Sequence, residues 1–347
     1  MGNVILRVWR GEAEFLRAVL FLPLWLLSWV YRISIGVREY LYNAGLCKVE
    51  EASIPVVSVG NITVGGTGKT PVVELLSRRL KEEGFRPGIV TRGYKRKRAG
   101  TFGVNPKEDD AAHVGDEAFM LAKKTGLPVI VGVKRLEAVK VGIREHAIDV
   151  AILDDGYQVR NLKKDVEILV LNGDKGGHEG DLFPLGPYRE PFATVRKAHA
   201  LIVNKGELGT AAKAHGAGIP SFRMSYRPTF LYNMKRDLIG PHAFLKGKKV
   251  LAFAGLGDNR SFFGLLKELG AEVLHEVEFP DHHAYDGRDL EELVSFRDVE
   301  MLVTTEKDGV KLAPMKLPAN LFYLAIEAVI DREEELIRLI IEKLKGE

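Results

Sequence analysis

After Glu51 the chain alternates short apolar runs with amphipathic stretches. Ile54 to Val59, Gly88 to Thr91, Val129 to Val133, Val150 to Leu153, Glu167 to Leu171 and Ala200 to Asn204 are apolar nearly throughout. Runs of this kind, separated by stretches of helical period, predict parallel strands buried on both faces, so the class is α/β. A more polar passage with Pro220, Tyr226, Pro228, Tyr232 and Asn233 breaks the rhythm, which resumes at Val250 to Ala254, Val273 to Phe279, Met301 to Thr305 and Phe322 to Ile326. A domain boundary is therefore expected within residues 222–245. From Asp331 to Lys345, Leu336, Ile340 and Leu344 recur every four residues opposite a charged face, which predicts a surface helix. The sequence contains no internal repeat or low-complexity tract.

The first forty residues follow another pattern. Ala18 to Tyr31 carries no charge, is bracketed by Arg17 and Arg32 and contains Pro23. As a helix this run covers about 21 Å, against about 30 Å of hydrocarbon in a bilayer, so it is short for a span. Arg32, Arg38 and Tyr40 follow it where a signal peptide would need small residues, so retention is expected. Trp9, Trp25, Trp29 and Tyr31 suit a headgroup region, and Arg7, Arg10, Arg17, Arg32 and Arg38 outnumber Glu12 and Glu14. Peripheral membrane attachment is the expectation, with a core helix capping the first domain as the alternative.

Length and composition fit two packed lobes: 347 residues, 46% apolar and 28% charged. A net charge of +3 is too small for binding nucleic acid mainly by charge, so any basic site must be local. The single cysteine, Cys47, excludes an internal disulfide and any multi-cysteine metal site, which fits a reducing compartment.

The strongest local signal is Val59-Gly60-Asn61-Ile62-Thr63-Val64-Gly65-Gly66-Thr67-Gly68-Lys69-Thr70-Pro71, between an expected strand and an amphipathic helix. Glycines let backbone N–H groups close around phosphate oxygens, and the following helix N-terminus adds a positive dipole. Gly65, Gly66, Thr67, Gly68, Lys69 and Thr70 are thus the expected nucleotide cradle, with Lys69 on the β- and γ-phosphates and the Thr70 hydroxyl on Mg²⁺. Thr63 stands where the general pattern has glycine. Asp154 and Asp155, at the end of the Val150 run, supply the acidic partner expected to hold the metal.

Other residues concern the acceptor. Arg92, Lys95, Arg96, Lys97 and Arg98 surround Gly93-Tyr94 with no acid among them, a solvated face or a site for an anionic substrate. Asp116, in Gly115-Asp116-Glu117, and His282, in Pro280-Asp281-His282-His283, are candidates for accepting a hydroxyl proton. Two adjacent histidines without a third ligand argue against zinc. A kinase, an ATP-dependent ligase or a nucleotide switch remain open on these residues. The Thr304-Thr305-Glu306-Lys307-Asp308 segment distantly resembles guanine-reading Lys-x-Asp signatures, as the switch would require.

Taken together, GNITVGGTGKTP, TRGYKRK, GDEAFMLAKK, LDDGYQVR, LGPYREP, AGLGDN, FPDHHAY and TTEKD resemble the tetraacyldisaccharide 4′-kinase family in order and spacing. The resemblance implies ATP- and Mg²⁺-dependent phosphorylation of the 4′-hydroxyl of a lipid A disaccharide precursor at the cytoplasmic face of the inner membrane, without nucleic acid and with no protein partner inferred. It implies a P-loop NTPase-type parallel sheet flanked by helices, a second, smaller α/β domain and a membrane-associated N-terminal helix. The expected boundaries are 1–40 for that helix, 41–225 for the kinase domain, 226–245 for a linker and 246–347 for the C-terminal domain. By motif, Asp116 resembles the catalytic carboxylate and His282 its dyad partner, Asp154 and Asp155 the metal and nucleotide acids, and Arg135 and Arg189 further catalytic residues. Arg92, Tyr94, Lys95, Gln158 and Glu190 are implied substrate-binding residues. Val159 stands where the family usually has histidine.

Overall fold

A computed structural model describes residues 9, 14–173, 180–209, 213, 215–235 and 237–346; Arg7, Arg10 and Glu12 lie outside the described residues. In chain order the elements are α1 (Glu14–Asn43), β1 (Val56–Gly60), α2 (Lys69–Glu82), β2 (Pro87–Thr91), β3 (Phe102–Gly103), α3 (Ala111–Val114), α4 (Asp116–Thr125), β4 (Val129–Val131), α5 (Arg135–His146), β5 (Val150–Asp154) and β6 (Val166–Asn172). There follow β7 (Ala200–Asn204), β8 (Ser221–Asn233), β9 (Leu238–Pro241), β10 (Lys249–Ala254), α6 (Asn259–Glu268), β11 (Glu272–Glu278), α7 (Gly287–Ser295), β12 (Met301–Thr305), α8 (Glu306–Leu312), β13 (Leu321–Ile330) and α9 (Glu333–Lys345). Each apolar run after Glu51 forms a strand. The polar passage expected to mark a boundary also folds, as the long strand β8 and its antiparallel neighbour β9.

The chain forms two compact units, each assembled from separated stretches. The first comprises residues 1–69, 149–224 and 330–347. Its strands run parallel in the order β8, β7, β6, β1, β5, with Val57 opposite Val166 and Val56 opposite Ala151. Every residue of β1, β5 and β7 is buried, as strands covered on both faces require. Ile62, Tyr157, Leu169, Leu182, Tyr188 and Val195 form an apolar cluster.

The second unit comprises residues 70–148 and 225–329. In its N-terminal portion β2 and β4 are parallel, with β3 antiparallel at the edge. In its C-terminal portion the order is β11, β10, β12, β13, with β10 parallel to both β11 and β12. Phe262, Phe263 and Leu266 of α6 pack on Val250 and Ala252 of β10. α7 is fixed at its start by a capping box between Asp286 and Asp289.

Candidate active site

In the first unit β1 ends at Gly60, where a Cβ would lie 2.5 Å from the Tyr157 Cβ, so only glycine lets the chain leave the strand there. The loop then needs left-handed backbone at Gly65 (φ +111°) and Gly68 (φ +91°), which glycine adopts without steric cost. Its path is fixed by side chains rather than by secondary structure. Asn61 donates to the Thr67 hydroxyl at 3.1 Å, Asn204 donates to the Thr67 carbonyl at 3.0 Å, and Gln158 donates to the Asn61 carbonyl at 2.8 Å. The Val64 N–H donates to the Pro187 carbonyl and the Arg189 N–H to the Ile62 carbonyl, so the 187–189 segment braces the loop. Lys69 opens α2, and Thr70 follows it.

Asp154 is buried at the last position of β5, opposite Val59 of β1. Asp155 follows with φ +55° and meets Lys69 at 3.5 Å and Arg189 at 3.0 Å. Burial disfavours its charge, but Lys69 and Arg189 outweigh burial and hold its carboxyl below the usual range. No group of three or more His, Cys, Asp or Glu suited to a metal occurs among the described residues. Carboxylates such as these beside a phosphate loop fit Mg²⁺, which is bound by few protein oxygens together with nucleotide phosphates.

In the second unit Asp116 begins α4, and Gly115 precedes it at φ +98° with the Tyr94 carbonyl 3.1 Å from where a Cβ would sit. Its Oδ2 accepts from His282 Nδ1 at 2.9 Å, and its Oδ1 accepts from the Glu117 N–H at 3.0 Å. Burial pushes the Asp116 carboxyl up, but His282, Lys307 and Lys311 more than offset this, so it lies below the usual range. The two residues thus sit together within one unit, whereas the boundaries expected from the sequence place them in different domains. His282 itself has φ +58°, and the Tyr94 ring packs edge-on against it at 4.9 Å. Lys95 donates to its carbonyl at 3.3 Å.

The remaining expected residues divide by exposure. Arg92, Tyr94 and Lys95 are exposed, whereas Arg98 lies over the Phe102 ring at 4.0 Å and pairs with Asp109 at 3.3 Å. Part of the basic cluster therefore holds its own loop. Arg135, at the first position of α5, is buried and donates to the Gly132 carbonyl. Glu190 is 0% exposed and accepts from Arg38 of α1 at 2.6 Å, with Arg160 at 3.8 Å from its other oxygen. No sequence motif connects α1 to this segment, and Lys307 lies within the TTEKD motif without a role that the sequence alone assigns to it. Asp308 does not serve as a base-reading carboxylate: it is fully buried, accepting from the Gly255 N–H and the Thr305 hydroxyl.

α1 is longer than the uncharged run, extending past Tyr31 to Asn43. One narrow stripe docks on the first unit. Leu24, Ser28 and Ile35 are buried, Ser28 donates to the Leu182 carbonyl at 3.0 Å, and Tyr31 donates to the Arg189 carbonyl at 3.0 Å. Leu22, Trp25, Leu26, Trp29, Val30 and Ile33 of the same helix are exposed. A buried core helix would cover these side chains, whereas contact with lipid would bury them.

A family model described as tetraacyldisaccharide-1-P 4′-kinase matches residues 20–345. A tetraacyldisaccharide 4′-kinase of Syntrophus aciditrophicus (strain SB) is 35% identical over 348 residues, covering 92% of this chain and 91% of its own. One from Vibrio cholerae serotype O1 (strain ATCC 39315 / El Tor Inaba N16961) is 37% identical over 346 residues, covering 99% of this chain and 96% of its own. The crystal structure of the "apo" form of LpxK from Aquifex aeolicus in complex with ATP superposes with a TM-score of 0.78 at 34% identity, over 95% of this chain and 100% of that one. With the match running along nearly the whole sequence, this chain belongs to the tetraacyldisaccharide-1-P 4′-kinase family.

Proposed function

We propose that this protein is an ATP-dependent kinase that phosphorylates the 4′-hydroxyl of a tetraacylated glucosamine disaccharide 1-phosphate, a lipid A precursor, at the cytoplasmic face of the inner membrane. The observation that carries the reading is the phosphate loop ending in Lys69 and Thr70, in a chain matched to these kinases over residues 20–345.

The loop amides and Lys69 bind the triphosphate, and Arg189 offsets charge that spreads over the transferred group. Thr70, Asp154 and Asp155 are the residues that would hold Mg²⁺, which supplies charge neutralisation on the phosphates when bound. Asp116 takes the proton of the 4′-hydroxyl as its oxygen bonds to the γ-phosphorus. The bond from that phosphorus to the β–γ bridging oxygen breaks, and ADP leaves. Arg92, and Tyr94 and Lys95 beside His282, all three exposed, are proposed to meet the anionic glycolipid, and the exposed side chains of α1 to lie in the membrane interface.

The decisive experiment incubates the purified protein with ATP, Mg²⁺ and the glycolipid acceptor and weighs the lipid product. Gain of one phosphate supports the reading. An unchanged lipid mass, with the protein folded and binding ATP, refutes it.

A further inference from the structure

Lys307 occupies the second position of α8, directly after β12, and its side chain is 14% exposed. Its ammonium carries three N–H donors and no acceptor. Three acceptors surround it: Asp281 Oδ1 at 3.1 Å, Glu117 Oε1 at 3.3 Å and His282 Nε2 at 3.2 Å. Burial disfavours this charge, yet Glu117, Asp281 and Asp116 outweigh burial and push the group up to about 12. It is therefore an ammonium throughout the working pH range.

A nitrogen that faces an ammonium at hydrogen-bond distance must offer a lone pair. His282 Nε2 then carries no proton, and the ring proton belongs to Nδ1, which donates to Asp116 Oδ2 at 2.9 Å. Glu117 and Asp281 lie 4.0 Å and 3.8 Å from Nε2, too far to draw a proton onto it by hydrogen bonding. The other groups facing this residue do not change the assignment. Lys95 donates to its carbonyl, and Tyr94 presents a ring edge. An imidazolium here would set an Nε2–H against the Lys307 ammonium, combining like-charge repulsion with loss of a hydrogen bond.

We propose that Lys307 is a positioning residue that locks His282 as the neutral Nδ1–H tautomer, so that the imidazole donates to Asp116 and leaves that carboxylate to accept the substrate proton. The functional part of this inference rests on the kinase reading above; the tautomer does not. Asp281 and Glu117 act through Lys307, holding its ammonium in place.

The test uses full-length protein labelled with ¹⁵N-histidine, in detergent, with the His282 resonances assigned by comparison with His282→Gln. Two-bond ¹H–¹⁵N correlation near neutral pH is expected to show a protonated Nδ1 and an unprotonated Nε2. An Nε2–H tautomer or an imidazolium in the unmutated protein overturns the proposal, and this readout needs only the assignment variant His282→Gln, not a Lys307 variant, to fold. In Lys307→Met the three carboxylates remain without their cation, so His282 should become imidazolium at the same pH, while Lys307→Arg keeps the neutral pattern. Glycolipid turnover in Lys307→Met should fall by about tenfold or more near neutral pH and recover at higher pH, with KM for ATP unchanged. A loss equal at all pH values, with an unaltered His282 spectrum, makes Lys307 merely structural. Absence of phosphorylated lipid even from the unmutated protein sinks the kinase reading instead, and the spectrum still decides the tautomer.

Discussion

Arg38→Ala tests whether α1 is latched to the nucleotide-binding unit by its polar stripe. The substitution removes the hydrogen bond to Glu190 at 2.6 Å and leaves a carboxylate that is 0% exposed, with Arg160 at 3.8 Å. Breaking a buried ion pair costs about 3–5 kcal/mol, and a hydrogen bond to a charged group contributes about 1.5–3 kcal/mol. Because the Arg38 side chain is 36% exposed and one arginine remains nearby, the lower range applies, and a loss of about 2 kcal/mol is expected. All three tryptophans, Trp9, Trp25 and Trp29, lie in the N-terminal segment, so urea unfolding followed by tryptophan fluorescence reports on this segment in particular. The double mutant gives a sign test. Glu190→Gln alone leaves Arg38 free to find water, and adding it to Arg38→Ala replaces an abandoned charge with a neutral amide. The double mutant should therefore be more stable than Arg38→Ala by about 1 kcal/mol or more. Refutation would be a double mutant no more stable than Arg38→Ala, or Arg38→Ala unfolding at the unmutated midpoint.

Four further outcomes are expected. Asp116→Asn should lower kcat by about 10²–10⁴ with ATP binding nearly intact, measured by turnover and nucleotide titration; normal turnover would remove Asp116 from the mechanism. Since the Asp116 carboxyl is depressed below its unfolded value of about 3.9, its stabilising effect is present above that pH and fades only as pH falls through the lower folded value. The kcat/KM profile should accordingly show no acid limb from Asp116 above pH ~4, and a limb at higher pH that vanishes in Asp116→Asn would contradict this. Replacing the exposed Leu22, Leu26 and Val30 of α1 with serine should weaken co-sedimentation with anionic vesicles and turnover on vesicle-borne glycolipid while sparing ATP affinity; unchanged co-sedimentation would argue that this face does not meet lipid. Lys124→Met should destabilise the second unit by about 3 kcal/mol in denaturant unfolding, because it removes the ammonium that Glu74 and Glu306 share at 3.0 and 2.7 Å and leaves the buried Glu74 with Arg78 at 3.2 Å.

The α/β class was legible because strands buried on both faces leave continuous apolar runs, and the helices between them supply the crossovers. The phosphate loop was equally legible, since Gly65 and Gly68 must adopt left-handed backbone and Lys69-Thr70 must follow at fixed spacing. Motif likeness brought Asp116 and His282 into view, but only the fold brings them to 2.9 Å, across 166 positions of sequence. Lys307 was hidden for the same reason. Its motif has no chemistry of its own until the start of α8 meets the 281–282 turn and the start of α4. Glu190 shows the converse: read as a substrate-facing residue, it is enclosed with Arg38, because burial depends on what packs over a side chain and not on its neighbours in sequence. Local backbone demands and apolar periodicity are written in consecutive residues. Which distant side chains share a hydrogen bond is decided by topology, where conformational entropy has already been surrendered and each buried donor must find an acceptor.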